Sequence, residues 1–152
     1  MKYLLFMTAL LVASITGAQS PVYFLSHPTL TPDGEIVVFS FEGDLWKASV
    51  KDGKATRLTA MPGYETTPRV SPDGKWIAFT GRQNGNADIY LMPLEGGEIK
   101  QLTWHSGNDE LSSWSWDANS VYLNSNRMGQ VAGYKLSIAG GTPRRVFGNY
   151  FF

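Results

Sequence analysis

Thr67-Pro68-Arg69-Val70-Ser71-Pro72-Asp73-Gly74-Lys75-Trp76-Ile77-Ala78-Phe79 opens the stretch that decides the fold, which runs on to Thr103. In Ser71-Pro72-Asp73-Gly74 the proline pre-sets φ for the second position of a type I turn, and the glycine supplies the left-handed residue that lets a hairpin follow. Trp76 to Phe79 is a strand-forming apolar run, followed by a polar loop from Gly81 to Ala87 and a second run, Asp88-Ile89-Tyr90-Leu91. Asn84-Gly85 and Gly96-Gly97 are further hairpin signals, so the stretch predicts about four short antiparallel strands joined by tight connections.

The same unit occurs on both sides. Asp44-Leu45-Trp46, Asp88-Ile89-Tyr90 and the weaker Ala132-Gly133-Tyr134 stand 44 residues apart, as do Gly53, Gly97 and Gly141. Arg57-Leu58-Thr59, Gln101-Leu102-Thr103 and Arg145-Val146-Phe147 keep that offset. The turn recurs as Thr31-Pro32-Asp33-Gly34 and as a drifted Ser115-Trp116-Asp117-Ala118, offset by 40 and then 44, which puts a shorter loop between Ser40 and Asp44. A period in the forties with four strands per copy marks a β-propeller, whose blades bury their faces only by stacking. The expected fold is all-β, a partial propeller of three four-stranded antiparallel blades: Pro28 to Thr59, Pro68 to Thr103 and Leu111 to Phe147.

Both faces of the second strand are apolar in blade one, with Val37 and Phe39 on one side and Ile36 and Val38 on the other. That suits a sheet sandwiched between neighbours. In blade three, Ala118 replaces the turn glycine; a left-handed alanine costs about 1–2 kcal/mol, so a change of turn type is expected there. Trp104, Trp114 and Trp116 flank one blade boundary and are assigned to packing between blades. Three blades fall short of the usual four to eight, so the open faces of blades one and three are expected to be apolar, and to be covered by further blades or by association.

The 152 residues are 43% hydrophobic and 17% charged, with 13 basic against 13 acidic side chains and no cysteine. Balanced, unclustered charge argues against nucleic acid or an anionic membrane as partner. The missing cysteine removes disulfides and thiolate chemistry together. Residues 1–18 read as a signal peptide: Lys2, an apolar run of 13 residues from Tyr3 to Ile15, then Thr16-Gly17-Ala18, so that cleavage leaves Gln19 first. At about 1.5 Å per residue the run covers about two thirds of a ~30 Å hydrocarbon core, too little for a stable membrane anchor. The mature part, residues 19–152, is then an exported incomplete propeller, periplasmic or extracellular. Val22 to Leu25 is a β-rich run that either returns to close a ring or edges the first blade.

No residue is assigned to catalysis, cofactor or metal. His105, Ser106, Asp109, Ser112 and Ser113 lie close together in sequence, but nothing there resembles a strained nucleophile turn with an oriented base. Asn84, Asn86, Asp88 and Glu95 have calcium-loop spacing, yet Ile89 stands where that loop needs glycine. Asp88, like Asp44, is read as a strand-start carboxylate bonding nearby backbone N–H groups. Asp33, Asp73 and Asp117 are turn aspartates, His27 a structural hydrogen-bonding residue, and Arg69 a paired or solvated cation beside the innermost strand.

Ser71 to Phe79, Asp88-Ile89-Tyr90 and Gly96-Gly97 through Leu102-Thr103 resemble the WD-like repeats of the TolB and tricorn propellers. A leader followed at once by such blades looks like the N-terminus of an exported tricorn-like serine peptidase. The resemblance implies that propellers guide and filter peptides while the catalytic residues sit far downstream, so that partners are peptides, the remaining blades and a catalytic domain. No catalytic residue of that family carries over to this chain. The alternative is a TolB-like propeller acting as a protein-binding scaffold with no hydrolase domain.

Overall fold

The computed structural model describes residues 25–147, so the leader and the run from Val22 to Phe24 lie outside the described residues. Twelve strands form three four-stranded antiparallel sheets, and no helix occurs among the described residues. Blade one is β1 (Ser26–Leu30), β2 (Ile36–Phe41), β3 (Asp44–Ser49) and β4 (Ala55–Arg57). Blade two is β5 (Glu65–Val70), β6 (Trp76–Gly81), β7 (Asp88–Pro93) and β8 (Lys100–Gln101). Blade three is β9 (Asp109–Trp114), β10 (Ser120–Met128), β11 (Gln130–Ser137) and β12 (Arg144–Phe147). Within each blade the strands pair in chain order, and the first strands β1, β5 and β9 lie against one another.

The apolar alternation fixes how the blades stack. Val38 and Leu45 of blade one pack on Ile77, Phe79, Tyr90 and Met92 of blade two. The opposite face of blade two supplies Ala78, Ile89 and Leu91 to Leu111, Val121, Leu123 and Leu136 of blade three. Blade two is therefore buried on both faces, and the Phe79 and Tyr90 rings stack with centroids 5.5 Å apart. Burying one such large side chain contributes about 1.5–3 kcal/mol, so these two seams are the core of the molecule. Main-chain bonds fix their spacing: the Glu65 N–H donates to the Gly43 carbonyl and the Asp109 N–H to the Ala87 carbonyl, each at 2.8 Å.

The recurring turn is one hydrogen-bonded unit. Ser71 Oγ donates to Asp73 Oδ1 at 2.6 Å and accepts the Trp76 N–H at 2.9 Å, while Asp73 Oδ1 accepts the Lys75 N–H at 3.2 Å. Thr31, Asp33 and Ile36 repeat it, as do Ser115, Asp117 and Ser120. The drifted turn of blade three has not changed type, contrary to the sequence expectation. Ala118 sits at φ 56°, beside 74° and 72° for Gly34 and Gly74, and its N–H donates to the Ser115 carbonyl at 3.0 Å. The hydroxyl and carboxylate clamp hold the alanine in the left-handed conformation. The short loop of blade one is the two-residue turn Glu42-Gly43, with φ 51° and 90°, the sign pattern of a type I′ hairpin.

Both open faces carry apolar side chains, as expected, Phe147 and Val131 being exposed on blade three, but the face of blade three is mixed with polar groups. Blade one presents the exposed Leu30 and the half-buried Val37 and Trp46, with Phe41 edge-on to Trp46 at 6.0 Å and Phe39 buried on the same side. Blade three presents Tyr122, Asn124 and Lys135 where blade two has Ala78, Thr80 and Leu91. Lys135 Nζ lies over the Tyr122 ring at 5.8 Å, and the Phe147 ring covers Gly133 so closely that a Cβ there would fall 2.4 Å from it.

Candidate functional site

The inner wall of the stack is made by β1, β5 and β9, and each carries a bulge. Register breaks fall between Ser26 and Thr29, between Thr66 and Arg69, and at Ser112. His27 and Thr67 adopt φ 53° and 48°, each directly before a proline. A β-branched residue at positive φ is a true outlier and is held by its neighbours. For Thr67 the holder is visible: its Oγ1 donates to Thr80 Oγ1 at 2.9 Å, and Thr80 also accepts the Leu111 N–H of the next blade at 3.0 Å. Arg69 extends the link, its Nε donating to the Ser112 carbonyl at 3.3 Å, while Trp114 Nε1 donates back to the Arg69 carbonyl at 2.8 Å. Arg69 is thus a bridge between β5 and β9. His27 is exposed, and its imidazole has no hydrogen-bond partner among the described residues, so the structural bond expected of it is not formed there.

Three carboxylates are buried at the blade seams. Glu65 and Asp109, 44 residues apart, open β5 and β9 and are fully buried; Asp88 opens β7 and is 3% exposed. Glu65 Oε2 accepts from Thr59 Oγ1 at 2.8 Å, and Gln83 Nε2 donates to its other oxygen at 2.5 Å. Asp88 accepts from Thr103 Oγ1 at 2.9 Å, Gln101 Nε2 at 3.2 Å and Asn86 Nδ2 at 3.3 Å. Its partners are therefore side chains, not the backbone N–H groups expected from sequence. The backbone is served indirectly, because Thr103 Oγ1 accepts the Ile89 N–H at 2.9 Å. Burial pushes both Glu65 and Asp88 above the ordinary carboxylate range, against the opposing hydrogen bonds. Asp109 is paired with Arg127 at 2.6 Å, and the guanidinium lies over the Tyr134 ring at 5.1 Å.

The candidates raised by the sequence disperse. His105 and Ser106 are exposed, and His105 Nδ1 accepts the Gly107 N–H at 2.9 Å. Asp109 is engaged by Arg127, while Ser112 and Ser113 are exposed on β9. In the calcium-like set, Asn86 Nδ2 donates to the His105 and Gly107 carbonyls, and Glu95 pairs with Lys47 at 2.7 Å, away from Asp88. Among the described residues no three His, Cys, Asp or Glu side chains gather as a metal site would require. Of the three tryptophans assigned to packing between blades, Trp114 is half-buried there. Trp104 is 70% and Trp116 96% exposed, and that assignment is corrected for both: Trp116 stands at the solvent-facing turn position of Pro32 and Pro72. The Glu65 and Asp109 pair escaped the sequence reading, although its 44-residue offset is the signal that finds it.

Stacked four-stranded blades with latched seams and a bulged inner wall define a β-propeller segment. The chain belongs to the tricorn protease N-terminal beta propeller domain family, whose model matches residues 22–149. It is 36% identical over 110 residues to Tricorn protease homolog 1 of Streptomyces coelicolor, covering 72% of this chain and 10% of that protein. It is 33% identical over 101 residues to the Tricorn protease homolog of Saccharolobus solfataricus, covering 60% of this chain and 9% of that protein. The chain thus spans about a tenth of the length of these curated relatives. Among solved structures, tricorn protease superposes with a TM-score of 0.71 at 23% identity, over 80% of this chain and 13% of that one. TolB from Acinetobacter baumannii gives 0.68 at 26% identity, over 80% of this chain and 31% of that one.

Proposed function

We propose that this chain is the first part of the N-terminal propeller of an exported tricorn-like serine peptidase, non-catalytic by itself, and that it guides or filters peptides. The observation that carries the reading is the family match across residues 22–149, on a chain whose buried carboxylates Glu65, Asp88 and Asp109 are each engaged by side chains of the blade scaffold. Residues 1–18, with their short apolar run and small-residue site, support export to the periplasm or beyond. The partners are peptides, together with the blades and catalytic domain of the parent protein.

The test is purification of the exported product, with its N-terminus and intact mass determined and its peptidase activity compared with that of residues 19–152 alone. The expected result is an N-terminus at Gln19, activity in the whole product and none in the segment. Activity that fractionates with the segment overturns the non-catalytic reading. A product that binds protein and contains no hydrolase domain would move the assignment to the TolB-like scaffold.

A further inference from the structure

Blades one and two carry a cavity at the same place in the repeat, near the outer strands, and the two differ. Beside the first seam the space is about 240 Å³ and is bounded by blade one alone, by Ile36, Lys47, Ser49, Asp52, Lys54 and Thr56. Lys47 crosses the seam, its Nζ donating to the Leu94 carbonyl at 3.3 Å and to Glu95 at 2.7 Å. At the second seam the equivalent positions are Trp76, Leu91, Pro93, Glu98 and Lys100, and the facing turn brings Ile138 and Ala139 in place of Leu94 and Glu95. The cross-seam ion pair is gone, replaced by Leu91 and Ala139, and the cavity opens to about 440 Å³ with a mostly apolar lining. That size and character match pockets that take small ligands or single side chains.

The rim supplies the polar part of the chemistry. Lys100 Nζ donates to the Ile138 carbonyl at 3.2 Å and the Ala139 carbonyl at 3.0 Å. An ammonium has three donors, so one N–H remains, at the mouth of an apolar pocket. Glu98, exposed at the same mouth, is an acceptor for an amide N–H. A bulky apolar side chain fits against Trp76, Leu91 and Ile138, with its own α-carboxylate on Lys100 and its own amide on Glu98. We infer that the outer pocket between blades two and three binds an apolar residue carrying a free α-carboxylate, presented as the C-terminus of a peptide. The choice of a peptide rests on the peptide-handling reading above; the pocket itself lies away from the inner wall.

The test is calorimetric titration of the full chain with acetyl-Gly-Ala-Phe, its C-terminal amide and free phenylalanine. The acid is expected to bind saturably, with the amide about tenfold weaker or worse. Leu91→Lys, which restores the residue of the first seam, is expected to abolish binding, as is Ala139→Leu, which fills the cavity from an exposed turn. Lys100→Met is expected to keep a pocket that no longer distinguishes acid from amide. Free phenylalanine binding as tightly as the peptide supports the pocket and identifies a free amino acid as the source. Acid and amide binding the native chain equally overturns the proposal, as does undiminished binding by both cavity variants or no saturable binding by the acid. Peptide binding that persists in the cavity variants rejects the pocket and leaves peptide handling standing; peptidase activity of the parent protein tests that reading separately.

Discussion

The seam between blades one and two and the seam between blades two and three share a backbone and differ in side-chain chemistry. Both are set by the same 2.8 Å main-chain bond from the first residue of a blade to the preceding blade, and both are filled by the same alternation of apolar residues. At the first, the carboxylate of Glu65 reaches across to Thr59, and Lys47 reaches across to Glu95. At the second, each buried carboxylate stays in its own blade, Asp88 with Thr103 and Asp109 with Arg127. The side chains that cross there are instead Thr80, Arg69 and Trp114 at the inner wall, and Asn86, Lys100 and the exposed Arg82–Glu110 pair further out. Main-chain spacing and apolar periodicity thus define the propeller stack, while the polar latch is free to move between positions and leaves a pocket where it has moved away.

The largest test of this contrast is Arg127→Ala. It strands a fully buried Asp109 whose other oxygen already lacks a partner among the described residues, and removal of one member of a buried pair costs about 3–5 kcal/mol. Urea unfolding should show that loss. An effect within a few tenths of a kcal/mol would mean that the pair is not the latch of blade three. Thr103→Val should cost about 2 kcal/mol, because it leaves both the Ile89 N–H and Asp88 short of a partner, and Thr59→Val should cost a similar amount at the other seam. Loss at one seam alone would show that only one of the two threonine bridges bears load. Ala118→Gly should stabilise by about 1 kcal/mol by relieving the left-handed alanine, while Gly74→Ala should destabilise by about as much.

Acidity separates the seams from the turns in sign. Glu65 is raised by burial, so the stability it contributes is present below its unfolded value and is lost as pH rises through its folded value. Glu65→Gln should therefore gain on the native chain as pH rises above the ordinary glutamate value of about 4 in paired urea titrations. The turn aspartates run the other way. Bonds from Thr31, Ser71 and Ser115, with backbone N–H groups, lower Asp33, Asp73 and Asp117, so their contribution is present above the unfolded value and lost as pH falls through the lowered one. Asp73→Asn should flatten only the acid end of the profile, and a change near neutrality would contradict the assignment.

Periodicity made the blades legible. Two clear copies of the turn and strand pattern predicted three four-stranded sheets, and the structure contains them. The turn of blade three was harder because local propensity favours glycine at position 118, and the Ser115, Asp117 and Ser120 clamp overrides it. Exposure of Trp104 and Trp116 was invisible for a related reason: they stand in the linker after β8 and in the turn after β9, where no strand alternation sets the direction of a side chain. The seam carboxylates were hidden because their partners lie in other strands, and only the 44-residue recurrence of an acid at 65 and 109 betrays them. The cavity of the second seam was out of reach of sequence altogether, since it depends on three blade elements converging.

The most direct measurement is site-specific photocrosslinking in the full-length protein during peptide hydrolysis. A crosslinker at Ser112, exposed on the bulged inner strand of blade three, is compared with one at Lys51, exposed on an outer turn of blade one. The account predicts that substrate peptide labels position 112, that excess unlabelled substrate competes the label away, and that position 51 stays unlabelled. Equal labelling at both positions, or hydrolysis with no labelling at 112, would contradict a peptide-guiding propeller.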